Sequence, residues 1–266
     1  MCVKLRISLV HSVLLVTMLA HVAVAGGNWE CLGGWEGDSQ GQGYAFVGAG
    51  GGLPVSHTSA VITRLATSLL CYRFSQGDST TRVSSPGLSL TSGISHAGRD
   101  VTVVVLAGPE IRWNDERTAP NGAGQIRFAH DRQWSGVIQG YFNASLAPRS
   151  WLTLLASYGG ANRYVFSRLI LSHRFKEKAP LFGLEGTAQG NGDVKSAQVG
   201  ASLEIADVIG AMSLKLGAGF KSSWSSDRTR TPAAFVGVVW IPNVTECCHT
   251  SSCGSPLSFK ASHEDV

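Results

Sequence analysis

Residues 194–221 read VKSAQVGASLEIADVIGAMSLKLGAGFK, and they alternate. Ala197, Val199, Ala201, Leu203 and Ile205 are apolar, and Ser196, Gln198, Gly200, Ser202 and Glu204 between them are polar or small. Beyond a short turn, Met212, Leu214, Leu216, Ala218 and Phe220 interleave with Ser213, Lys215, Gly217, Gly219 and Lys221. A period of two puts successive side chains on opposite faces of a strand. Each stretch therefore has one apolar and one polar face over about ten residues, the length a tilted strand needs to cross a bilayer. Two such strands joined by a turn form a hairpin, and the same grammar extends through the rest of the chain.

The composition fits. Only 15% of the 266 residues are charged, which is sparse for a soluble surface, and there are 32 glycines. After the first 25 residues no apolar run is long enough for a transmembrane helix. The net charge of +4 is spread along the chain, and nucleic-acid binding, which needs a clustered basic face, is not expected. Lys4 and Arg6 precede an apolar stretch over 7–24, which ends in Ala23-Val24-Ala25. That pattern predicts a signal peptide, 1–25, with cleavage expected after Ala25, against the alternative of an uncut N-terminal anchor.

Working outward, the sequence predicts an all-β protein: an antiparallel up-and-down transmembrane β-barrel of about 12 strands over 26–241, followed by a disordered tail, 242–266. The strands are expected near 29–37, 43–53, 58–74, 84–94, 99–113, a segment carrying Trp134, Ile138, Phe142 and Leu146, then 151–158, 164–175, 181–189, the two quoted above, and 230–241. The run 101–106, VTVVVL, is rich in β-branched residues. Gly159-Gly160-Ala161-Asn162 and Gly190-Asn191-Gly192-Asp193 are turn compositions. Connections after odd-numbered strands (38–42, 75–83, 114–132, 190–193, 223–229) look longer or more polar than those after even-numbered ones (54–57, 95–98, 148–150, 207–208). Long loops on one rim and short turns on the other characterise outer-membrane barrels, and an even strand count puts both chain ends on the short-turn side. A soluble lipocalin-like barrel or sandwich is the competing fold. Tyr44, Trp113, Trp134, Trp151, Tyr158, Tyr164, Phe175, Trp224 and Trp240 fall near strand ends, where interfacial aromatic girdles sit.

Few residues suggest chemistry. Arg168, Arg174, Glu185, Glu204 and Lys215 occupy the polar parity of their strands and are expected to face the lumen, where pairing would plug it and isolation would line a narrow pore. Ser172 and His173 are adjacent and so point to opposite faces, which counts against a hydrolytic pair within that strand. Cys247-Cys248-His249 and Cys253 resemble a fragment of a metal site but lack the two separated ligand pairs of a structural zinc centre. No cofactor is expected. Pairing of Cys31 with Cys71 is left open by the sequence.

Short phrases in order carry a resemblance: VLAGPE at 105–110, WLTLLASYG at 151–159, LFGLEG at 181–186 leading to Gly192-Asp193, QVGA at 198–201, and Phe220 followed by PAAFVGVVW at 232–240. Together they resemble the BcsS family of cellulose biosynthesis proteins, over roughly 29–241. The resemblance implies a non-enzymatic outer-membrane accessory protein of Gram-negative bacteria. Its role would lie in biosynthesis, export or surface anchoring of cellulose as a biofilm exopolysaccharide, with outer-membrane lipid, cellulose and cellulose-synthase components as partners. A neutral glucan would be met by aromatic and hydroxyl-bonding side chains. The 114–132 loop, with Trp113, Asn114, Asp115 and Trp134 at its edges, is the candidate contact, and a solvated cap is the plainer reading of the same loop. A small outer-membrane porin and a lipid A deacylase-like barrel enzyme are the alternatives. N-terminal sequencing of the exported protein is expected to begin Gly26-Gly27-Asn28; a start at Met1 would overturn the cleaved signal.

Overall fold

In the computed structural model, residues 29–242 are described except 122–123, 162, 178, 193, 210–211 and 226–229; the expected signal peptide, and the tail beyond 242 with its cysteines, lie outside them. Twelve strands follow one another: β1 Trp29–Asp38, β2 Gly43–Pro54, β3 Ser59–Gln76, β4 Ser79–Ala97, β5 Val101–Pro120, β6 Arg127–Ala147, β7 Ser150–Gly159, β8 Tyr164–Arg174, β9 Leu181–Gly190, β10 Val194–Ile209, β11 Met212–Ser225 and β12 Arg230–Pro242. Every strand pairs antiparallel with its sequence neighbours, and β1 pairs with β12, so the sheet closes into a barrel. Closure leaves no unpaired sheet edge over the length the twelve strands share; beyond it β3 past Cys71 and β6 before Gly136 have no ladder to β2 and β7.

The faces follow the sequence parity. On β9, Gly183, Glu185 and Thr187 are buried while Phe182, Leu184, Gly186 and Ala188 are exposed. On β11, Ser213, Lys221 and Ser223 turn inward and Leu216 and Phe220 outward. Most of the exposed large side chains are apolar ones on the outward parity, from Val61 and Leu90 through Val105, Ile138 and Leu169 to Val236. Among the described residues the buried set holds 15 polar or charged residues beside 13 apolar ones, with Glu110, Glu185 and Lys221 in the first group. A soluble barrel, whose interior is its apolar core, would not bury so large a polar share.

The expected loop asymmetry is not there. The connections 77–78 and 148–149 are two residues each, while 121–126 and 175–180, on opposite rims, are six each. The asymmetry lies in the strands. Those of β3 to β6 run 18, 19, 20 and 21 residues, against 10 for β1, β7 and β9. The segments 75–83 and 114–132, expected as loops, are mostly extensions of these strands: Asn114 pairs with Asp131, and Thr118 with Arg127. A strand that has left an apolar environment can be polar on both faces, so hydropathy no longer marks it. The result is a wall, β3–β6, standing above the rim that holds the odd-numbered turns. Gly77, with φ 56, supplies the positive φ of its β3–β4 hairpin turn.

The aromatic girdle also needs correction. Trp113, Trp134, Tyr158 and Phe175 are exposed, but Tyr44, Trp151 and Tyr164 have the inward parity of their strands. Arg174 lies 5.7 Å from the Trp151 ring centroid inside the barrel. Nearness to a strand end does not by itself decide the face. Cys31 and Cys71 are not joined in a disulfide: they flank β2 opposite Ala49 and Gly43, too far apart along it to bond.

The β4–β5 ladder has gaps between its paired residues near Pro86 and near Pro109, whose nitrogens carry no proton. Near the second gap the two backbones approach so closely that a side chain on Gly93 would collide with the carbonyl of Val105, and one on Gly108 with that of Leu90. Gly93→Val and Gly108→Val are each expected to prevent barrel closure. The readout is loss of the faster-migrating folded band on unboiled gels, with Gly140→Val, where a Cβ would meet open space, as the tolerated control.

Candidate functional site

The lumen has three levels. Toward the rim that holds the chain ends, Ile62, Val104 and Leu106 form a small buried apolar cluster on the β3–β5 side, with Tyr141 packed on them. Above this cluster runs a belt of charge. Glu110 of β5 accepts from Arg112 Nε at 2.8 Å, and Arg112 continues to Ser68 Oγ at 3.2 Å and the Ser85 carbonyl at 3.2 Å. Lys215 lies 3.5 Å from Glu185. Lys221 donates to Asp38 at 2.8 Å, both side chains being almost wholly buried. Arg168 donates through its terminal nitrogen to Glu36 and through Nε to Thr187 Oγ1 at 3.1 Å, and Gln198 donates to the second oxygen of Glu36 at 2.7 Å.

The Arg168–Glu36 pair has the greatest reach. Glu36 is on β1 and Arg168 on β8, five strands apart one way round the ring and seven the other. Their contact therefore crosses the lumen. Gln198 of β10 and Lys221 of β11 tie the same strand, β1, from two further directions.

Above the belt lies a small, half-open vestibule with a cavity volume of about 40 Å³, reaching the odd-numbered turns through Gln42 and Asn191. Its wall carries Tyr44, Tyr72, Tyr164 and Phe235, and its floor Glu36, Asp38 and Lys221. Tyr164 donates to Gln189 at 2.9 Å. Aromatic faces among fixed hydroxyl, amide and carboxylate groups offer stacking and hydrogen bonding at the mouth of the lumen.

Of the residues singled out by sequence, Arg168, Arg174, Glu185, Glu204 and Lys215 all take the inward register. The four candidate saccharide contacts do not meet on one surface. Trp113 and Trp134 are exposed on the outer face, 41% and 70%. Asn114 is buried in the lumen, accepting from Ser85 Oγ at 2.6 Å, and Asp115 bonds His130 at 2.5 Å on the outside. Strand pairing persists through this segment, so neighbours in sequence go to opposite faces. Sequence reasoning missed Glu36, Asp38 and Tyr164 as one group; the polar parity of β1 was the available signal. It also missed the cross-strand pairs Ser150–His173 at 2.9 Å and Ser59–His96 at 3.1 Å, next to the turns of the terminus-side rim. Neither imidazole has a carboxylate partner among the described residues. Among those residues, no group of three or more His, Cys, Asp or Glu is placed to hold a metal ion.

A closed twelve-stranded barrel with an apolar exterior and an ion-paired polar interior defines an inside-out β-barrel. Residues 35–238 match the family model of cellulose biosynthesis protein BcsS, and the chain belongs to that family. No curated protein matches it significantly in sequence. Similar solved structures include the β domain of the Bordetella autotransporter BrkA (14% identity, TM-score 0.45, covering 80% of this chain and 97% of that one). The translocator domain of NalP from Neisseria meningitidis (15%, 0.42, 88% and 96%) and LpxR from Salmonella typhimurium (9%, 0.38, 79% and 99%) are also similar.

Glu36→Ala would remove the carboxylate partner of the largely buried Arg168 guanidinium. It is expected to lower stability by about 3–5 kcal/mol, read from urea unfolding in lipid vesicles. Asp115→Ala, which breaks the exposed His130 pair, is expected to cost no more than about 1 kcal/mol.

Proposed function

We propose that the protein is a non-enzymatic accessory barrel of the outer membrane. On this reading it serves cellulose biosynthesis at the export or surface-anchoring stage, and its lumen does not conduct. Family membership supports the pathway. The apolar outer face over a closed sheet supports the membrane, because only a closed ring satisfies every backbone group in hydrocarbon. The observation that carries the reading is the Arg168–Glu36 contact across the lumen, backed by the apolar cluster on the β3–β5 side beneath it. A barrel filled in this way favours an accessory over a porin. Glucan contact is then best assigned to the vestibule, where Tyr44 and Tyr164 can stack on sugar faces and Gln42 and Gln189 can bond hydroxyls.

Two measurements test this. In planar bilayers the purified protein is expected to be silent, and a stable open conductance would favour the porin. Deleting the gene is expected to reduce surface cellulose and pellicle, with rescue by wild type and weaker rescue by Tyr44→Ala/Tyr164→Ala. Unchanged cellulose would remove the pathway role, and full rescue by the double variant would remove the vestibule from it.

A further inference from the structure

The outer face of the β3–β6 wall carries a feature the lumen does not explain. Arg73 of β3 pairs with Arg82 of β4, and Arg82 with Arg117 of β5, so three arginines stand side by side in one register row. All three are exposed. They point outward, because the next row, Phe74–Thr81–Thr118, faces in: Thr81 is buried and bonds Thr118 at 2.9 Å. Arg132, opposite Trp113, adds a fourth cation on the same face. Neighbouring strands are about 4.8 Å apart. Like charges directly opposite one another at that spacing destabilise a sheet.

Among the described residues no opposite charge offsets them. Arg73 donates to the Gln40 amide oxygen, and Arg117 lies over the Phe128 ring at 5.9 Å. Among the described residues no carboxylate pairs with any of the four, and the one acid on that outer patch, Asp115, is held by His130. Further below on the same strands the outward residues become apolar: Leu69, Leu88, Trp113 and Trp134. A strand needs about ten residues to cross a bilayer, and these have 18 to 21. The arginine row thus stands one polar row, Cys71–Ser84–Asp115, above the apolar belt, on the side away from the chain ends, where lipid headgroups would lie.

We propose that this row is a binding site for phosphate groups of the outer leaflet's phosphorylated glycolipid. Guanidinium forks match phosphate oxygens in bidentate fashion, and one bridging phosphate relieves repulsion between two arginines at once. The apolar residues beneath would receive the acyl chains. The source of the lipid rests on the outer-membrane reading above; the binding itself does not.

The test uses purified, folded protein in neutral detergent and native mass spectrometry, with diphosphoryl lipid A, its dephosphorylated counterpart and inorganic phosphate as probes. Wild type is expected to retain diphosphoryl lipid A and not the dephosphorylated form, and to lose it as salt rises. Arg73→Gln/Arg82→Gln/Arg117→Gln is expected to bind at least about tenfold more weakly while keeping the folded gel band, since removing like charges does not strain the sheet. The corresponding triple lysine variant, with charge but no fork, should fall between. Equal retention by the glutamine variant, equal retention of the dephosphorylated lipid, or displacement by inorganic phosphate at matching phosphate concentration would each overturn the proposal. Membrane fractionation tests the location separately, so either can fail without the other.

Discussion

The structure depends on the ladder between its first and last strands. Each strand offers a row of amide and carbonyl groups, and in a ring all of them are satisfied without water only if β1 meets β12. That seam is the shortest register in the barrel, six pairs from Gly33–Trp240 to Asp38–Phe235. It is reinforced from within. Glu36 and Asp38, the inward residues at its upper end, are held by Arg168, Gln198 and Lys221 from three other strands. Ser39 adds a main-chain bond to the Ala234 carbonyl just beyond the last pair. The charges that fill the lumen therefore also hold the ring shut.

This coupling explains the distribution of polarity. An apolar lumen would leave β1 attached by a few backbone bonds and side-chain packing alone. A lumen of unpaired charges would carry desolvation costs with nothing to offset them. Pairing acids on β1 with cations on β8 and β11 avoids both, and it clears carboxylates from the outer face of the seam. Ile62, Val104 and Leu106 sit away from the seam, on the β3–β5 arc, where the β3–β4 and β4–β5 ladders are long and need no ionic tie.

The fold was legible where one face of a strand meets an apolar environment. There the period of two is enforced, and it marks the strand from Val194 to Ile205 or from Met212 to Lys221 without help from context. It falls silent past the belt. Asn114, Asp115, Glu116 and Arg117 read as a loop because both faces are polar, yet their ladder with β6 is continuous. The parity of Arg168 and Glu185 could be read, but not their partners. Which inward residues meet across a ring depends on strand tilt and stagger, properties of the closed sheet as a whole rather than of any one strand. Glu36 and Arg168 are 132 positions apart, and no local pattern links them.

The same filling limits how such a barrel can serve a polysaccharide. A glucan chain threading the lumen would have to displace Arg168 from Glu36 and Lys221 from Asp38, and those contacts hold the seam. It would then meet Leu106 and Ile62, which offer a sugar no hydrogen bond. Passage and closure are thus in direct competition, and the side chains favour closure. On the proposed reading, the chain of sugars is met from outside, at the vestibule above the ion pairs, where Tyr44 and Tyr164 can be reached without opening the ring.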